Sequence, residues 1–162
     1  MGWTTLPLDM GKVLEFLDAC LEAGVNYGVT DGNKIPHHGA VPGVDFKHVD
    51  CSGFMWEAVW RGIRPAVSTF PDGSVRQHDW VRNHGFEPSS PKAGGLGDGL
   101  VRIAFLAPVF RGRTKVKDGH VTLIYLGWTI ESHGGRGPDR RAWGSLTWHD
   151  ATDVYVLADA SD

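Results

Sequence analysis

Residues 121–126, Val-Thr-Leu-Ile-Tyr-Leu, constrain the fold more than any other stretch. A β-branched and apolar run of that length predicts a strand. Gly127-Trp128 follows as a tight turn, and residues 129–133 read as the returning strand, so the pair should form an antiparallel hairpin. Residues 100–106 and 154–157 carry the same strand pattern, and residues 109–117 form a basic, β-capable stretch around Arg111-Gly112-Arg113. Residues 143–148 fit neither period clearly.

The first half of the chain has helical periodicity instead. Asp9 can cap a helix over residues 8–23, with Val13, Leu14, Leu17, Cys20 and Leu21 on its apolar face and Gly24 as its stop. A second helix should run over residues 51–61, ended by Gly62. A third should cover residues 74–84, with Val75, Trp80 and Val81 as its apolar positions. Residues 63–70 read as partly extended, and the Pro/Gly/Ser-rich residues 86–100 as a surface connection. Helices first and strands second predict an α+β fold, with N-terminal helices packed on a central antiparallel β-sheet.

At 162 residues, with no repeat and no linker, the chain reads as a single domain over residues 1–162. A formal charge of −3 argues against a nucleic-acid partner. Arg111, Arg113, Lys115 and Lys117 form a short basic patch that could take an anionic polymer, although cations guarding a solvated edge strand account for it as well. No apolar run approaches the ~20 residues needed to span a bilayer, so no membrane association is expected. Residues 1–7 lack the basic and apolar regions of a secretory signal, which predicts synthesis in the cytoplasm.

The two cysteines, Cys20 and Cys51, imply no disulfide framework. His37, His38 and His48 lie on or beside the long polar loop of residues 30–47. The adjacency of His37 and His38 is a poor ligand spacing and no metal motif accompanies them, so they read as solvated. No metal and no cofactor are expected.

The chemistry centres on Asp50-Cys51-Ser52-Gly53-Phe54. Asp50 is a good N-cap, which puts Cys51 at the first helical position, among unpaired N–H groups at the positive end of the helix dipole. A thiolate is stabilised there, so the Cys51 pKa should fall and the residue should act as a nucleophile. A buried core cysteine opening a helix fits the stretch equally well. A nucleophile of this kind needs a base, and the base needs an orienting partner. His120 begins the strong strand and His133 ends the next, so a hairpin should bring the two to the same end.

Asp50-Cys51-Ser52-Gly53, followed by Gly119-His120-Val121 and Glu131-Ser132-His133, resembles the NlpC-type cysteine peptidases, papain-like enzymes that cut the stem peptides of bacterial cell walls. The resemblance extends over nearly the whole chain. It implies a papain-like fold with Cys51 as nucleophile, His120 as base and acid, and His133 as the residue that holds the His120 ring. It implies that Tyr27 and the Cys51 N–H stabilise the oxyanion, and that Asp50 and Ser52 help bind the amino end of the stem peptide. The implied activity is a thiol endopeptidase cutting a D-glutamyl–diamino acid amide. An N-acetylmuramoyl-L-alanine amidase of the related CHAP kind, an acyltransferase or deamidase, and a catalytically silent virion or wall-binding module are the alternatives. The loop at residues 30–47 is longer than the family's usual one, and residues 131–135 are richer in glycine. A compact chain without a signal resembles bacteriophage lysins, monomers that reach the wall through a holin or the virion.

Overall fold

The computed structural model describes residues 2–28, 34–64 and 69–160. Residue 29, residues 30–33 of the long loop, and residues 65–68 of the stretch expected to be partly extended lie outside the described residues. Helix α1 (Met10–Glu22) opens on Asp9, whose carboxylate accepts from the Lys12 N–H. Strands β1 (Asn26–Tyr27) and β2 (His48–Val49) form a short parallel pair. Helix α2 (Cys51–Gly62) starts directly after β2, and α3 (Ser74–Asn83) follows. The second half holds β3 (Glu87–Pro88), β4 (Leu100–Leu106), β5 (Val109–Arg111), β6 (Thr114–Lys117), β7 (His120–Tyr125), β8 (Trp128–His133), β9 (Gly137–Asp139) and β10 (Asp153–Asp159).

Six strands form an antiparallel sheet in the order β3-β10-β4-β7-β8-β9, while β5 and β6 pair only with each other. This is an α+β arrangement with a mostly antiparallel sheet, as the order of patterns predicted. Among the described residues no helix is long and apolar enough to cross a membrane.

The core lies between the helices and one face of the sheet. Val13, Phe16, Leu17 and Cys20 of α1 and Phe54, Met55, Ala58 and Val59 of α2 are buried with Ile103, Val121, Leu123 and Ile130 of the sheet. Phe16 stacks on Phe54 with ring centroids 5.2 Å apart. Leu21, expected in this stripe, is 42% exposed because it lies at the stripe's edge, and Phe16 fills the interior instead. Val75 of α3 is also exposed. Ala104 and Ile124 alternate with Ile103 and Leu123, so they point to the opposite face, where Trp143 and Leu146 cover them. The ambiguous residues 143–148 are therefore the sheet's second cover.

The hairpin forms one residue earlier than the pattern suggests. Tyr125 pairs with Trp128, and Leu126 and Gly127 are the turn, at φ 55° and 82°. Two consecutive positive φ values match the twist of a tight hairpin. Leu126 accepts a backbone conformation that costs about 1 kcal/mol for a residue with a Cβ.

Candidate active site

Three chain segments converge at the start of α2. The first is the helix terminus itself. Asp50 Oδ1 accepts from the Gly53 N–H at 2.8 Å, which fixes the cap and places Cys51 at the first helical residue. Asp50 Oδ2 takes an ammonium proton from Lys34 at 2.7 Å, and Lys34 also lies 3.9 Å from Asp72. The hydrogen bond to Asp50 raises the Lys34 pKa. Lys34 was not foreseen, because it is sixteen residues away across an irregular loop.

The second segment is β1. Its parallel pairing with β2 sets Tyr27 beside Val49, two residues before the nucleophile. Strand β9 passes so close that a Cβ on Gly137 would stand 2.7 Å from the Asn26 carbonyl carbon, so only glycine fits there. Ser132 of β8 also donates to the Val49 carbonyl at 2.8 Å, tying the sheet to this corner. Tyr27, Asp50, Cys51 and Ser52 line one cleft of about 330 Å³ with Ser74, Lys115, Asp118 and Gly119. A larger cavity of about 710 Å³ lies between residues 5–11, Tyr125 and Asp159, with no cysteine or histidine in its lining. Burial, then the negative charge of the Cys51 thiolate form, Asp50 and Asp118, pushes the Tyr27 phenol up to about 12. It is therefore a hydrogen-bond donor at neutral pH.

The third segment is the start of β7. The Val121 N–H lies near enough to the Cys51 sulfur to lower its pKa, and Gly119 lines the same cleft. His120 stands between those two residues. Its Nε2 lies 2.6 Å from Glu131 Oε1 on β8. Glu131 is fully buried and also receives two hydrogen bonds from Arg141, at 2.7 Å to Oε1 and 2.9 Å to Oε2. Burial alone would raise the Glu131 carboxyl, but the hydrogen bonds from His120 and Arg141 outweigh it and hold the group at about 2. An ionised carboxylate only accepts, so Nε2 carries the proton and Nδ1 of the neutral ring is left basic. Nδ1 has no hydrogen-bond partner among the described residues. Trp148 closes the other side, its ring edge-on to His120 and under the Arg141 guanidinium.

Two expectations are corrected. His133 does not hold His120. The β7–β8 pairing ends at Leu123–Ile130, and beyond it β8 pairs with β9. His133 accordingly turns to β9, with Nε2 at 2.8 Å from Asp139 and Nδ1 at 3.1 Å from the Gly134 carbonyl. Glu131, two residues earlier on the same face of β8, reaches His120 instead. The available signal was the period-two spacing, since Glu131 and His133 share one face of a strand and either could meet His120. Second, the Cys51 pKa does not fall. Burial raises it to about 11 and the Asp50 charge adds to that, against the N–H groups of Val121, Ser52 and Cys51, which lower it. The helix terminus does act as predicted, but desolvation is larger.

Both cysteines are free. His38, read as solvated, is not. Its ring is sandwiched between Trp56 and Trp60, and its Nδ1 lies 2.7 Å from the buried Glu57. His37 is exposed and His48 half-buried. Among the described residues no group of three His, Cys, Asp or Glu side chains could hold a metal ion. No family model matches the chain, and neither a curated protein nor a solved structure does.

Proposed function

We propose that the chain is a thiol hydrolase with Cys51 as nucleophile and His120 as base and acid, acting on an amide bond in the stem peptides of peptidoglycan. The observation that carries the chemistry is the Glu131–His120 pair, bonded through Nε2, with His120 on the strand whose next N–H lowers the Cys51 pKa. The substrate class rests on the resemblance to NlpC-type peptidases, in which a D-glutamyl–diamino acid bond is cut. A monomer of papain-like fold, delivered by a holin or a virion, belongs to the same reading.

The resting thiol is neutral, since burial holds it near 11. Attack therefore requires His120 Nδ1 to take the Sγ proton as the S–C bond forms. The imidazolium so created faces the buried Glu131 carboxylate, which Arg141 keeps ionised, and its charge is offset at no cost in desolvation. The Tyr27 hydroxyl and the Cys51 N–H stabilise the tetrahedral oxyanion, a contribution of several kcal/mol in acyl transfer. His120 then protonates the leaving amine, giving a thioester and a free amine. Water, deprotonated by the same nitrogen, releases the carboxylic acid and the thiol. Glu131 and Arg141 touch no reacting atom in this scheme and are positioning residues. Asp50 is shared between the cap and Lys34, so an amino group of the substrate would compete with Lys34 for its Oδ2, beside Ser52.

Mass spectrometry of peptidoglycan digested with wild-type and Cys51→Ala protein tests the reading. New stem-peptide fragments from the wild type alone are expected, and their masses identify the bond, separating an endopeptidase from a muramoyl-alanine amidase. Digests without fragments from any wall type would contradict the substrate assignment.

A further inference from the structure

The ribbon β5–β6 belongs to neither the sheet nor the helices, and every residue from 109 to 118 is exposed. Residues 109–117 carry Arg111, Arg113, Lys115 and Lys117 and no acid. Elsewhere the chain has 12 cations against 19 acids, so the ribbon's +4 stands against −7 on the rest. Lys115 pairs with Asp118 at 3.0 Å, whereas Arg111, Arg113 and Lys117 make no ion pair among the described residues. Solvated edge cations would be expected on an edge of the main sheet, but this ribbon guards no such edge.

We infer that the ribbon is a docking surface for a polymer of repeating phosphate groups, held alongside the Cys51 cleft. Arg111 and Arg113 flank the turn at Gly112, and guanidinium forks suit phosphate oxygens. Lys115 and Lys117 lie two residues apart on one strand, roughly 7 Å along it, which sets successive charges in a row. Lys115 also lines the cleft with Cys51 and Tyr27, so a polymer on the ribbon is tethered at the candidate site. A bilayer surface fits less well. The ribbon's exposed apolar groups are Phe110, Val109 and Val116, so it carries one aromatic against four cations, and Phe110 also borders a groove with Val75, His78 and Phe105. A single exposed ring disfavours single-stranded nucleic acid, whose successive bases need several stacking platforms.

The inference does not depend on Cys51 being catalytic, because its readout is binding. Titration of the whole chain with long-chain inorganic polyphosphate should show binding at low salt that weakens roughly tenfold or more on a fourfold rise in salt. Arg111→Glu/Arg113→Glu, at exposed turn positions, should weaken it at least about tenfold with an unchanged melt, while Lys92→Glu at an exposed site in another part of the surface should not. No binding by the wild type, equal loss in Lys92→Glu, or binding to phosphatidylglycerol vesicles but not to polyphosphate would overturn the assignment.

Discussion

The molecule contains the same three side chains twice, a histidine, a buried glutamate and an arginine. At the start of β7 they are His120, Glu131 and Arg141, beside Cys51. On α2 they are His38, Glu57 and Arg61, and the charges of Glu57 and Arg61 are felt by Cys20. Both glutamates are fully buried, and each accepts from its histidine and its arginine. The surroundings differ. His38 is stacked on both faces, 3.6 Å from the Trp56 centroid and 4.7 Å from Trp60, and Glu57 also accepts from the Gly39 N–H at 2.9 Å. Arg61 donates to the Ala40 carbonyl and lies over Phe16. Every group of that set fastens the long loop to the helix. Cys20, fully buried in the core, is pushed to about 12 by burial. Cys51 lies at a helix N-terminus, on a cleft, under three N–H groups. The two histidine–carboxylate pairs therefore differ in their surroundings: His38 is held against two indole rings, whereas His120 directly follows Gly119 at the Cys51 cleft.

Substitutions separate the two sets, the largest effect first. His120→Ala should lower hydrolysis by ~10²–10⁴-fold, because it removes acid–base transfer. His38→Ala should leave the rate within a few-fold. A similar loss of rate in both variants would erase the distinction. The reverse asymmetry is expected in stability. Glu57→Ala leaves the Gly39 N–H and Arg61 without their acceptor and should destabilise by about 2–4 kcal/mol in denaturant titrations, while preserving activity under native conditions.

Acid should sharpen the contrast further. Glu131 is held at about 2, below its usual 4.5, so its ionised form stabilises the fold above 4.5 and that contribution is lost as pH falls toward 2. The loss is on the order of 3 kcal/mol. Glu131→Gln should flatten the melt's pH dependence in that window; an identical slope in wild type and variant would contradict the ionised Glu131. The smallest effect belongs to His133→Ala, expected to stay within about threefold of the wild-type rate because both its ring nitrogens are engaged elsewhere.

Much of this was legible in the sequence where local rules decide. The Asp50 cap, Cys51 at the first helical residue, the hairpin after His120 and the basic ribbon follow from capping and period-two patterning. What escaped depends on tertiary facts. Glu131 and His133 share one face of β8, and only the point where β8 leaves β7 for β9 chooses between them. The Cys51 pKa turns on burial, which a helix-terminus argument does not contain. His38 looked solvated because its partners, Trp56, Glu57 and Trp60, lie on a different element.

The central claim is that His120, held by Glu131, activates Cys51. The most direct measurement is the rate of iodoacetamide labelling at each cysteine, followed by mass spectrometry, in wild type, His120→Ala and His38→Ala. The account predicts labelling at Cys51 with Cys20 protected, slowed by an order of magnitude or more in His120→Ala and unchanged in His38→Ala. Labelling of Cys51 at the same rate without His120 would contradict it.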